Sequence, residues 1–446
     1  MEQQPTADPR GAIETVFRIE SPRIIAGVTR IVRDVGIAEE LAQDALVAAL
    51  EQWPRDGVPD NPGAWLMATA KHRAIDLVRR RERYARKLEE VGRDLSLSTP
   101  HHVDEPADPD AIDDDLLRLV FTACHPVLSA EARIALTLRL LGGLTTPEIA
   151  RAYLAPEPTI AQRIVRAKRT LATRGVAFEV PYGPEREARL GSVLEVIYLI
   201  FNEGYAATAG DDLLRPALCE DALRLARVLA ELMPKESEVH GLVALLELQS
   251  SRAAARTGPS GEPVLLKDQN RSRWNRLLIR RGFAALARAN AVSTGVPGPY
   301  ALQAAIAACH AQAYAYEDTD WHQIATLYGL LVTRSPSPVI ELNRAVAVSM
   351  ADGPEPALAI VDTLATEPAL RDYHLLPSVR GDLLARLGRT AEARAEFERA
   401  ALLARNARER ALLEERAVGL DRPAAEGPAG TAAVRCGRAG PRSGGQ

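Results

Sequence analysis

Apolar residues recur every three to four positions along most of the chain, and the recurrence is broken by proline and glycine rather than replaced by alternation. In "IAEELAQDALVAALEQW" Leu41, Ala45, Ala48 and Ala49 follow helical spacing, and Pro54 and Gly57 are expected to end that helix. "NPGAWLMATAKHRAIDLVRRRERYARKLEE" starts another at Pro62, with Leu66, Ala70, Ala74 and Leu77 on one face. The clearest local pattern is "GGLTTPEIARAYLAPEPTIAQRIVRAKRTLATRG". Thr145 with Glu148 three positions on reads as a capping box, and Ile149, Ala150, Tyr153 and Leu154 form an inner face. "APEP" then breaks the helix, and a second begins near Pro158 with Ile160, Ile164, Ala167 and Leu171 on its inner side. Two short helices joined by a tight turn are the helix-turn-helix plan.

Further along, residues 185–290 are helical by pattern, with breaks expected at Gly204, Pro216, Pro234 and the loop "RTGPSGEP". Residues 300–418 read as helical hairpins. In "GDLLARLGRTAEARAEFERAA" small and large residues alternate at Gly381, Leu384, Gly388, Ala393, Phe397 and Ala400, and Gly353 precedes Gly388 by 35 positions. That spacing resembles a tetratricopeptide repeat. Residues 421–446, rich in Gly, Pro, Ala and Arg, are expected to be a disordered tail.

Composition strengthens the helical reading. Aromatics are 4% of 446 residues, Ala, Leu and Arg dominate, and β-branched runs between glycines are scarce, so an all-α protein of several domains is expected. The start, "MEQQPTADPR", carries no secretory pattern, and apolar stretches such as "VLEVIYLIF" are too short to cross a bilayer. A cytoplasmic protein without membrane partners is expected.

Charge divides the chain further. The formal net charge is only -4, yet residues 71–87 hold eight Lys or Arg against two acids, whereas residues 94–115 hold eight acids and no Lys or Arg. With Pro100, Pro106 and Pro109, the acidic stretch reads as an extended linker over 93–111 separating helical domains at 10–92 and 112–176. On the second helix of the helix-turn-helix, the outer side carries Thr159, Gln162, Arg166 and Arg169, flanked by Arg163 and Lys168. Such groups donate to base edges and phosphates in a major groove; a solvated basic face is the alternative.

Chemistry finds little purchase. Cys124-His125 and Cys309-His310 are adjacent pairs whose side chains point to different helix faces, and Cys219 and Cys436 stand alone. His101-His102 lacks two further metal ligands. Glu203 in "FNEGY", with Asp268 and Arg273, is either a hidden site or a set of polar ties between helices. No phosphate or dinucleotide fingerprint occurs, so no cofactor, no metal and no catalysis are expected.

"AEELAQDALVAALEQWP", "NPGAWLMATAKHRAIDLVRRRER" and "LTLRLLGGLTTPEIARAYLAPEPTIAQRIVRAKRTL", in that order, resemble regions 2 and 4 of extracytoplasmic-function (ECF) sigma factors, bacterial transcription initiation factors of the sigma-70 family. "LIFNEGY", "LLKDQNRSRWN", "GPYALQAAIAACHA" and "SPVIELNRAVAV" are similar to the subgroup with a long tetratricopeptide-like C-terminal extension, ECF42. The resemblance implies that the helix around Glu40, Leu41, Asp44 and Leu50 docks on core RNA polymerase. It implies that Trp65, Lys71, Arg73, Asp76, Arg79, Arg80 and Arg81 engage the promoter -10 element, and that Thr159, Gln162, Arg163, Arg166, Lys168 and Arg169 read the -35 element. The extension, a helical domain at 185–290 and repeats at 300–418, would carry a protein partner. Two alternatives remain from the residues: a helix-turn-helix regulator acting without polymerase, or a sensor or enzyme at 185–418 controlling a DNA-binding half.

Overall fold

The computed structural model describes residues 9–91, 109–153, 155–205, 214–259, 262–404 and 406–420. Among them the chain is all-α, and one isolated bridge, Thr257 with Pro263, is the β-type pairing recorded. The acidic segment up to residue 108, His101, His102, Leu154, Cys436 and the tail from residue 421 lie outside the described residues.

Three helices open the chain: α1 (Pro9–Val32), α2 (Val35–Asp56) and α3 (Pro62–Val91). Asp34 caps α2 by accepting from the Ile37 amide at 3.0 Å. Pro54 does not end α2. It falls in the last turn, and the helix runs to Asp56, where Gly57 stops it at φ 87°. A proline near the end removes a bond that the last turn can spare, whereas a left-handed glycine cannot continue a helix.

Four helices follow: α4 (Pro109–Ala123), α5 (Ala130–Leu140), α6 (Thr146–Ala152) and α7 (Glu157–Thr173). The capping box forms as the spacing predicts, Thr145 Oγ1 accepting from the Glu148 amide and Glu148 accepting from the Thr145 amide at 2.7 Å. The third set is α8 (Gly183–Tyr205), α9 (Pro216–Leu232), α10 (Ser237–Ser250), α11 (Arg276–Val292) and α12 (Pro299–Gln312). α8 ends at Tyr205, one residue past the break expected at Gly204, and a Cβ on Gly204 would sit 2.7 Å from the Cys219 amide nitrogen, so the missing side chain also lets α8 and α9 touch.

The chain ends in α13 (Trp321–Arg334), α14 (Pro338–Ala351), α15 (Pro354–Leu364), α16 (Leu375–Arg386), α17 (Thr390–Leu403) and α18 (Ala407–Gly419), each packed on the next. Gly353 (φ 99°) and Gly388 (φ 75°) make the α14–α15 and α16–α17 turns, conformations that favour glycine. Gly381 lets α16 close on α17, since a Cβ would meet the Phe397 ring at 3.1 Å.

One contiguous apolar core runs from Ile13 in α1 to Leu246 in α10. α1 packs on α4 as well as on α2 and α3, so the helices within 10–92 and 112–176 share one core. Buried Asp115 of α4 holds Arg30 of α1 at 3.5 Å and Arg118 at 2.7 Å. The extension grips α4 and α5 just as closely. Ser192 Oγ donates to the Cys124 carbonyl at 2.6 Å, Arg133 pairs with Glu195 at 3.0 Å, and Arg224 donates to the Gly142 carbonyl at 3.0 Å. No helix among the described residues is long and apolar enough to cross a membrane.

Candidate nucleic-acid interface

Helix α7 buries the four residues that its period selects, Ile160, Ile164, Ala167 and Leu171, and packs them on α5 and α6. Burying each of the larger ones contributes about 1.5–3 kcal/mol, which fixes the rotation of the helix about its axis. Thr159, Gln162, Arg166 and Arg169 are thereby exposed and Arg163 is half-buried. Pattern reading passed over Val165, 63% exposed on this surface, an apolar group suited to a thymine methyl.

Lys168 is not free. Its ammonium makes an ion pair with Oε2 of Glu39 on α2, while Oε1 of Glu39 accepts from Arg139 Nε at 2.6 Å and from Gln43 Nε2 at 3.0 Å. Glu39 is buried, and Lys168 and Arg139 are each 21% exposed in their side chains. The backbones approach here too, since a Cβ on Gly36 would lie 3.6 Å from the Lys168 side chain. The clamp joins α2 to α5 and α7 across about a hundred residues of sequence, and only the "EE" at 39–40 hinted at it: one acid faces in and the other out.

On α3, Leu66, Ala70 and Ala74 are fully buried, and Asp76, Arg79, Arg80 and Arg81 are exposed. Arg83 Nε donates to the Arg79 carbonyl at 3.1 Å, holding part of this cationic stripe against its own helix. Trp65 is half-buried, edge-on to buried Trp53 with centroids 5.3 Å apart. Lys71 lies against α1, and its pKa is lowered, chiefly by burial and then by Arg30. Arg73 reaches Asp44 of α2 at 3.6 Å. Of the residues implied to meet polymerase, Glu40 and Asp44 are exposed, Leu50 is half-buried and Leu41 is in the core.

Cys124, Cys309, His310 and Glu203 are tied into the fold. Burial pushes the Cys124 thiol up to about 11, and it lies 3.3 Å from Thr137 Oγ1. Cys309 is likewise pushed to about 11 by burial and hydrogen-bonds Gln323. His310 stacks edge-on against Trp321, its ring driven down to about 3 by burial and by Arg252 and Arg271. Glu203 pairs with Arg215, which also donates to the Ala152 carbonyl, a tie between α8–α9 and α6. Asp268 and Arg273 are exposed, and neighbouring Arg271 donates to the Ala313 carbonyl at 2.8 Å. Among the described residues no group of three His, Cys, Asp or Glu could hold a metal ion.

Residues 16–84 match the family Sigma-70 region 2, residues 118–171 match Sigma-70, region 4, and residues 189–290 match a family of unknown function, DUF6596. An uncharacterized protein of Rhizobium meliloti (strain 1021) is 44% identical over 417 residues, 93% of this chain and 97% of that protein. The ECF RNA polymerase sigma factor SigK of Mycobacterium sp. (strain KMS) is 33% identical over 146 residues, 32% of this chain and 72% of that protein. SigK of Mycobacterium ulcerans (strain Agy99) is 30% identical over 167 residues, 36% of this chain and 84% of that protein.

Proposed function

The chain belongs to the sigma-70 family of RNA polymerase sigma factors, of the ECF type, and from that premise we propose how its surfaces divide the work. Exposed Glu40 and Asp44 on α2 dock on core polymerase, and the arginines of α3 hold the phosphates of the opening -10 element. Arg166, Arg169, Gln162 and Thr159 on α7 read the -35 element in the major groove, with Arg163 on its edge. The protein works in the cytoplasm. Residues 185–418 form the tetratricopeptide-like extension of the ECF42-type subgroup and regulate the factor through a protein partner.

The observation that carries this reading is the exposed cationic face of α7, fixed in rotation by its four buried residues, on a region 4 that follows a region 2. Two elements centred near -10 and -35 lie about 25 base pairs apart, about 85 Å at 3.4 Å per base pair. With Lys168 paired to Glu39, α7 and α2 are in contact, so both elements cannot be read at once. The described arrangement is thus a resting form, and polymerase binding parts regions 2 and 4.

Adding the full-length chain to core polymerase should give transcripts from defined start sites on promoters of its own genome. Absence of any such transcript with folded protein refutes the proposal. Binding to duplex DNA without co-migration with core enzyme would favour a polymerase-independent regulator instead.

A further inference from the structure

Where the three parts of the chain meet, they leave a cavity of about 370 Å³. One wall is α1, another comes from α4 and α5, and the third from α8 and α9. The floor is apolar, with Leu116, Val120, Val193, Ile197 and Leu229 and the protonated thiol of Cys124. Its one hydroxyl, Thr137, already contacts that thiol. Such a floor offers water few partners, and the volume falls in the range of small-molecule sites, which favour domain junctions.

The rim differs from the floor. Arg18, Arg23 and Arg224 line it, with Asp221 and Glu231 as the acids. Asp221 is already committed to Arg224 at 3.2 Å, and Arg18 is drawn outward to Glu148 at 3.7 Å. Arg23 is exposed and makes no ion pair among the described residues, and Glu231 is the remaining acid, itself exposed. Of the three guanidiniums over this apolar well, Arg23 alone is without an ion pair among the described residues, which suits a molecule with a greasy body and one anionic end.

We propose that this junction cavity is a binding site for an amphipathic monocarboxylate, its apolar body on the Leu116, Val193 and Leu229 floor and its carboxylate at Arg23. Because the walls belong to region 2, region 4 and the extension, occupancy ties the three together. The ligand thereby stabilises the closed arrangement by mass action.

The test is calorimetric titration of the full-length protein with decanoate, decanol and decylamine, which reads binding independently of transcription. Decanoate should bind saturably with one-to-one stoichiometry. Decanol should bind at least about fivefold more weakly, the share expected of a partly exposed charge pair. Arg23→Gln should bring decanoate toward the affinity of decanol, and Val228→Phe, on the α9 wall, should block the cavity. No decanoate binding, decanol or decylamine binding as tightly, or unchanged decanoate affinity in Arg23→Gln would each overturn the assignment. A folded Val228→Phe with wild-type affinity would overturn it too. Circular dichroism checks that variant, and if it does not fold, Arg23→Gln decides.

Discussion

Replacing Glu39 by Gln removes the single buried carboxylate that joins α2 to both Arg139 and Lys168. In a sealed interior, breaking such an arrangement costs about 3–5 kcal/mol. Here both cations keep 21% of their side chains in contact with solvent and can rehydrate, so each contact is discounted to roughly 1 kcal/mol. The sum, about 2 kcal/mol, shifts the ratio of closed to parted forms by roughly thirtyfold toward the parted form. Single-molecule energy transfer between dyes at Asp56→Cys and Arg174→Cys reads that ratio, both positions being exposed. Cys124, Cys219 and Cys309 have thiols raised by burial and label slowly, and Cys436→Ser removes the remaining one. The long-distance population should grow in Glu39→Gln and shrink again when Lys168→Gln removes one of the two cations left facing position 39. An unchanged distance distribution in Glu39→Gln would refute the clamp.

Other consequences are open to direct measurement. Arg166→Ala should cost about 1–3 kcal/mol on a preferred -35 sequence and relax preference at one base pair, whereas Arg81→Ala should weaken all sequences alike; salt-dependent binding of the polymerase complex separates the two. Gly143→Ala should lower the unfolding free energy by about 2 kcal/mol, because φ is 69° there and a Cβ would lie 2.9 Å from the Arg18 carbonyl oxygen; denaturant titration reads it. His310 gives a signed pH effect. With its folded pKa near 3, below the unfolded value, the neutral ring's stability is fully present above about pH 6.5 and is lost as pH falls toward 3. Between pH 6.5 and 5 wild type should therefore lose roughly 2 kcal/mol more than His310→Gln, compared by denaturant titration at each pH.

The inner and outer faces of α7 were legible because burial there follows the 3.6-residue period of a single helix. The capping box at Thr145 was legible for the same reason, being local, whereas Gly353 and Gly388 were noted for their spacing and not for the turns they make. Glu39 was not, because its partners come from residues 139 and 168 and no spacing along α2 encodes them. The break at Gly204 was legible, since α8 ends at Tyr205, but its second role was not: a glycine that permits close packing and one that ends a helix look alike in one dimension. The acidic stretch suggested separation by composition, yet whether α1 and α4 meet depends on apolar surfaces, and Ile24, Val28 and Leu119 join one core. Lys168 was expected among the DNA-facing cations flanking the outer face of α7, and its pairing with Glu39 was not legible, because which carboxylate it meets is a property of the whole fold.

On the proposed function, one chain reads two promoter elements through surfaces that must part to do so. Footprinting of core polymerase loaded with the full-length chain, on a promoter from its own genome, tests it most directly. The account predicts two protected patches about 25 base pairs apart, with the upstream patch lost in Arg166→Ala and the downstream patch kept. A single patch no longer than one helical turn, or protection indifferent to Arg166, would contradict it.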